Sequence, residues 1–158
     1  MSNKNKPYNI AIIGCGKIGF KRAEALSDKG KLVACSDIVF SNAIKLANKF
    51  GAIPYKNWKD VILIKEIDIF IICTFHNTLS TIAKEVVKSG KHLLIEKPLA
   101  LKFKEVVKLE EKSKKNNNKL FVDYPFIFSG SIRYIKTIIK QKKYGKLLEI
   151  ESFREQAP

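Results

Sequence analysis

The sequence predicts an α/β fold, a doubly wound parallel sheet, followed by the opening of a truncated α+β second domain. Three observations carry this reading. Short continuous apolar runs alternate with segments of helical period about five times along the chain. The runs lack the apolar–polar alternation of a strand with one wet face, so they read as strands buried on both faces. The first run feeds straight into a glycine-rich turn and a helix.

That first strand is Ile10–Ile13. Gly14, Gly16 and Gly19 follow at G-x-G-x-x-G spacing, with a helix expected over Phe20–Leu26. Gly14 permits the tight bend, Gly16 lets a pyrophosphate approach the backbone, and Gly19 lets the helix pack against the strand. Lys17 and Ile18 complete the turn, and the helix N-terminus offers free N–H groups to an anion. A second strand, Lys31–Ser36, ends at Asp37. An acidic residue roughly 20 positions past such a turn is placed to bind adenosine ribose hydroxyls. Asp37 also fits as an ordinary turn or capping aspartate.

Ser41–Phe50 shows helical spacing, with Ser41 as N-cap and Gly51 just past its end. Ala52–Tyr55 is a brief extended piece, and Pro54 confines it to a sheet edge. A short helix is expected over Trp58–Lys65 with Asn57 as its cap. Ile67–Cys73 is the strongest strand and ends in the polar turn Thr74-Phe75-His76-Asn77-Thr78. A helix over Leu79–Ser89 stops at Gly90, and the strand His92–Ile95 runs into Glu96-Lys97-Pro98. Lys102–Lys115 reads as a helix turning Phe103, Val106, Val107 and Leu109 inward, and Leu120–Asp123 is the last strand of the series.

These elements put the dinucleotide domain at residues 1–123 and the start of a substrate or oligomerisation domain at 124–158. In the second piece, Ser131–Lys142 is a helix with an apolar stripe of Ile132, Ile135, Ile138 and Ile139. Leu147–Phe153 alternates like a strand with one wet face. A lone strand of this kind needs partners, so it reads as the opening of an antiparallel domain whose remainder is missing.

At 158 residues with 46% hydrophobic side chains the chain can bury a core. It has no uncharged apolar run of roughly 18 residues, which excludes a transmembrane helix and a membrane partner. A polar N-terminus leading straight into a strand argues against a signal peptide, and the expected location is cytoplasmic. Cys15, Cys35 and Cys73 are odd in number and widely spaced, as free thiols are. His76 and His92 are too isolated for a metal site. The net charge of +15 comes from lysines, with only Arg22, Arg133 and Arg154 as arginines. It predicts salt-sensitive adhesion to polyanions and no specific nucleic-acid partner.

Glu96-Lys97-Pro98 at a buried strand end, together with the glycine turn, resembles the Gfo/Idh/MocA family of NAD(P)-dependent oxidoreductases. Ile67-Asp68, Gly90-Lys91-His92, Leu99, Asp123-Tyr124 and Gly145-Lys146-Leu147 extend the resemblance over nearly the whole chain. It corresponds to the N-terminal half of a typical member. The resemblance implies a Rossmann domain binding NAD, with NADP admissible, and hydride transfer to or from a sugar, cyclitol or nucleotide-sugar hydroxyl. It implies Lys97 as the catalytic residue, supported by Glu96. The cofactor would lie against Gly14, Gly16, Lys17, Ile18, Gly19, Asp37, Thr74, Phe75, Glu96 and Lys97.

An acid at Asp37 favours NAD, since a 2′-phosphate beside a carboxylate is repelled. Phe75 replaces the family's usual proline, and Leu79 stands where a histidine is frequent. The family's downstream aspartate and histidine motif has no counterpart before Pro158, so the chain alone is expected to bind cofactor and turn over poorly. Homo-oligomers are expected only with a complete second domain. The alternative is a non-catalytic dinucleotide-binding module or redox-sensing subunit, which has no use for Lys97.

Overall fold

The computed structural model describes residues 6–142, 144–151 and 153. Among these, six strands form one parallel sheet: β1 (Tyr8–Ile13), β2 (Gly30–Ser36), β3 (Ile53–Tyr55), β4 (Ile69–Ile72), β5 (His92–Glu96) and β6 (Leu120–Asp123). Their order is β3-β2-β1-β4-β5-β6, with every neighbouring pair parallel. The helices between them are α1 (Lys17–Glu24), α2 (Phe40–Phe50), α3 (Trp58–Ile62), α4 (His76–Lys88) and α5 (Phe103–Lys115). This is the doubly wound arrangement, and its order reverses between β1 and β4.

β1 explains why the sheet needs cover on both sides. Ile10, Ala11, Ile12 and Ile13 are all buried, and alternate side chains leave on opposite faces. Ala11 and Ile13 pack with Phe70, Ile72, Leu93 and Ile95 beneath Val61 of α3, Ile82 of α4 and Leu109 of α5. Ile10 and Ile12 pack with Leu32, Cys35 and Ile71 beneath Ala23 of α1 and Leu46 of α2. β3 carries Pro54 and lies at the sheet edge as expected, where the missing N–H costs nothing.

Several boundaries differ from the sequence reading. α1 begins at Lys17 with Gly16 as its N-cap, so Gly19 is helical. α2 begins at Phe40 with Val39 as N-cap and no side-chain cap. Ser41 is therefore already inside the helix, because Asp37 Oδ1 takes the Val39 N–H at 2.8 Å and turns the chain earlier. α3 closes at Ile62, and Asn57 caps it through the Lys59 N–H. β4 is shorter than expected because Asp68 Oδ2 accepts the Asn9 N–H at 2.8 Å, replacing a ladder bond by a side-chain one.

α4 starts at His76, so His76, Asn77 and Thr78 of the expected polar turn are helical, with the Thr78 hydroxyl bonded back to the Phe75 carbonyl. Phe103, expected inward, is 80% exposed, since it opens α5 at the helix end beyond the sheet.

A second compact unit begins at Tyr124. A 3-10 turn at Pro125–Phe128 precedes α6 (Gly130–Gln141), whose N-cap Ser129 accepts the Ile132 N–H. The expected stripe is present in sequence, but Ile132, Ile135 and Ile139 are exposed. Leu147–Glu151 and Phe153 carry no regular structure, in contrast to the expected strand. No described segment pairs with them, and a strand ladder cannot form one-sided. Ser152 and residues 154–158, Arg154 included, lie outside the described residues.

Candidate functional site

A cleft of about 1200 Å³ opens at the carboxyl ends of β1, β2 and β4, where the strand order reverses. In open α/β sheets that crevice is where ligands bind. Its wall begins at Gly14, which has φ +95°. A Cβ there would lie 2.6 Å from the backbone carbonyl of Cys73, so only glycine lets β1 and β4 close this tightly. Gly19 is equally confined, since its Cβ would meet the Gly14 carbonyl oxygen. Gly16 differs from both: a Cβ there would meet nothing within 4 Å. It caps α1 and lines the cleft with Lys17 and Ile18, leaving room for a ligand to reach the helix N-terminus.

The end of β2 supplies the polar wall. Asp37 is half-buried; its Oδ2 accepts the Cys15 N–H at 2.7 Å and its Oδ1 the Val39 N–H. It therefore ties the glycine turn to the β2–α2 loop. Ser36 lies beneath it, 1% exposed, and its hydroxyl has no partner. A buried polar group left unpaired costs roughly 1–3 kcal/mol, so Ser36 Oγ is a place for a ligand or water oxygen. Lys56, Asn57 and Trp58 line the facing side. They are brought there because the Tyr55 carbonyl accepts the Asp37 N–H at 3.3 Å.

From β4 come Cys73, Thr74 and Phe75, then the first turn of α4. Phe75 is 83% exposed, and Ile38, also 83% exposed, stands on the β2 side of the cleft; both offer apolar surface. Burial, aided by the Glu96 charge, pushes the Cys73 thiol up to about 12. The Cys15 thiol is held well above the usual range, first by its contact with the Cys35 sulfur and then by burial. With their thiols held protonated, neither Cys73 nor Cys15 is an activated nucleophile.

Glu96 ends β5 and does not line the cleft. Its Oε1 accepts from Arg22 Nε at 3.0 Å and Nη2 at 2.5 Å, and Arg22 also pairs with Asp123 at the end of β6. One guanidinium on α1 thus holds two strand ends through mostly buried carboxylates. Lys97 follows, exposed, before a cis bond to Pro98.

The structure brings Gly14, Gly16, Lys17, Ile18, Asp37, Thr74 and Phe75 to one cleft. It puts Gly19 beneath that cleft, and Glu96 and Lys97 outside its lining. The sequence reading missed Ser36, Lys56 and the Arg22 bridge. Only Arg22 had a signal, as the one arginine in a lysine-rich α1. The open space over Gly16, the unpartnered Ser36 hydroxyl and the polar β2 end fit a dinucleotide, with its pyrophosphate against α1.

Comparison with known proteins agrees with this geometry. Residues 8–124 match the family model of oxidoreductases with an NAD-binding Rossmann fold. The chain is 31% identical over 154 residues to the myo-inositol 2-dehydrogenase of Thermotoga maritima, covering 94% of this chain and 46% of that protein. The solved myo-inositol 2-dehydrogenase of Lactobacillus plantarum superposes with a TM-score of 0.82 at 28% identity, covering 90% of this chain and 44% of that one. The Bordetella pertussis WlbA dehydrogenase, solved with NADH and UDP-GlcNAcA, gives a TM-score of 0.83 at 22% identity, covering 89% and 44%. The chain thus spans less than half the length of these relatives. The family match covers the cleft, both strand ends that flank it and the glycine turn, and on that ground the chain belongs to the Gfo/Idh/MocA oxidoreductase family, residues 8–124 being its NAD-binding Rossmann domain.

Proposed function

We propose that the protein is an NAD(P)-dependent dehydrogenase moving hydride between the nicotinamide and a secondary hydroxyl carbon of a sugar, cyclitol or nucleotide sugar. Residues 1–123 form the dinucleotide domain and residues 124–158 begin the substrate or oligomerisation domain. The observation that carries this reading is the cleft itself, which combines an unobstructed Gly16, the α1 N-terminus and the carboxylate of Asp37 at one switch point. The bound dinucleotide supplies the hydride acceptor. Gly14 and Gly19 shape the turn, Lys17 and Ile18 flank the pyrophosphate, and Thr74 and Phe75 face the nucleotide. Asp37 accepts from the ribose hydroxyls and favours NAD, with NADP admitted.

In the oxidation direction the carbinol carbon gives its hydride to the nicotinamide, the hydroxyl gives its proton to water, and a ketone is left. Lys97 presents an ammonium to the developing alkoxide oxygen and stabilises it, and Glu96, fixed by Arg22, sets where Lys97 emerges. The relatives' names, together with the alcohol chemistry of the resemblance, support this substrate class. A cytoplasmic location and homo-oligomers formed through the second domain complete the reading.

The second reading is a non-catalytic dinucleotide-binding module, favoured by Glu96 and Lys97 standing outside the cleft lining. Hydride transfer to NAD+ from a panel of cyclitols and sugars, measured on a protein that carries a complete second domain, separates the two. The dehydrogenase reading expects Lys97→Ala to cut turnover at least about a hundredfold, the scale of one electrostatic stabiliser, with cofactor affinity unchanged. Bound cofactor with turnover indifferent to Lys97→Ala leaves only the module.

A further inference from the structure

The carboxylate of Asp37 has less freedom to repel a phosphate than its position in sequence suggests. Both of its oxygens already accept backbone N–H groups, from Cys15 at 2.7 Å and Val39 at 2.8 Å. A carboxylate has about four lone-pair sites, so a ribose hydroxyl can still bind, but part of its charge is met by the two loop amides. The same end of the cleft carries Lys56, the first residue after β3. The bond from the Asp37 N–H to the Tyr55 carbonyl puts Lys56 one residue from the chain that pairs with β2's end. Lys56 is exposed and makes no ion pair among the described residues. Asp60 of α3 is the other carboxylate on this wall. In the floor, the Ser36 hydroxyl is buried with no partner.

We propose that Lys56 is a cofactor-selecting residue: with the Ser36 hydroxyl it makes a corner that takes the 2′-phosphate of NADP, so that the site accepts both dinucleotides. This rests on the dinucleotide reading of the cleft. An unpaired lysine lining the same cleft as a half-compensated carboxylate is what lets one pocket tolerate either a hydroxyl or a dianion at the same ribose position. The hydroxyl form uses Asp37, and the phosphate form uses Lys56 and Ser36.

Calorimetric titration of NAD+ and NADP+ into the full 158-residue chain tests it, comparing wild type, Lys56→Ala, Lys56→Glu and Lys31→Ala. Lys31 is exposed near the start of β2, away from the cleft, and reports the general effect of losing one positive charge. Lys56→Ala is expected to weaken NADP+ about tenfold and NAD+ less than twofold, the size of one lost charge-assisted hydrogen bond. Lys56→Glu weakens NADP+ further, and Lys31→Ala leaves the ratio as in wild type. The proposal is overturned if Lys56→Ala moves both dinucleotides equally or neither. It is also overturned if Lys31→Ala moves the ratio as much, or if wild type binds NAD+ alone. Binding of neither dinucleotide by wild type removes the dinucleotide reading itself along with it.

Discussion

The three motif glycines are alike in sequence and unlike in what they do. Gly14 is required by the fold, because it combines a positive φ with a Cys73 carbonyl where a Cβ would sit. Gly14→Ala should therefore cost several kcal/mol, roughly 3 or more, from backbone strain and a clash with main chain that cannot swing aside. Chemical denaturation reads this directly, and a loss under about 1 kcal/mol would show that the turn relaxes. Spacing alone identifies the motif but does not say which glycine faces inward. That depends on how closely β4 approaches, a long-range property.

The thiols give a second prediction at this scale. Cys73, raised by burial to about 12 from an ordinary 9.0, stays protonated in the fold while the unfolded thiol ionises first. Its contribution to stability is thus complete below pH 9 and is lost as pH rises toward 12. Urea midpoints should fall between pH 8 and pH 10 in wild type, and less so in Cys73→Ala.

At the scale of elements, α1 is held at both ends. Its N-terminus closes the glycine turn, and Arg22 near its C-terminus bridges Glu96 of β5 and Asp123 of β6. Removing the guanidinium leaves two mostly buried carboxylates without their cation. Arg22→Met should destabilise by about 2–3 kcal/mol, below the roughly 3–5 kcal/mol of breaking a fully buried pair because the guanidinium is 26% exposed. Lysine should recover only part, lacking the fork that reaches both acids. An Arg22→Met protein as stable as wild type would mean that water satisfies both acids.

The elements themselves were legible wherever an apolar run met a turn residue. β1, β2, β5, β6 and the Pro54 edge strand all follow from such patterns. Helix starts were not. α1, α2 and α4 each begin earlier than their apolar period, because the first turn is set by Gly16, by Asp37 bonding Val39, and by Thr78 bonding Phe75. Ionic bridges across the sheet were likewise hidden, since Arg22 and Asp123 are distant in sequence and meet only once β6 is in place.

For the whole molecule, strand order decides where chemistry can occur. The reversal between β1 and β4 opens a crevice, and residues from five separate stretches line it. Alternating runs and the glycine turn made this architecture readable, because crossover connections in parallel sheets have one hand and few arrangements. The final segment was not readable in the same way. Leu147–Phe153 has a strand's alternation, yet its described residues form none, since pairing needs a neighbour that periodicity cannot supply.

The surplus of lysines also acts at this scale: with a net charge of +15, affinity for an anionic dinucleotide should weaken as salt rises. The central claim, that the open space over Gly16 seats the pyrophosphate, is tested most directly by titrating NAD+ into wild type and Gly16→Val while recording thermal melts of both. The account predicts saturable one-to-one binding by wild type, at least about tenfold weaker binding by the variant, and closely similar melting temperatures, since a Cβ at Gly16 meets no protein atom within 4 Å. Equal affinity in the two proteins, or no binding by wild type, would contradict it.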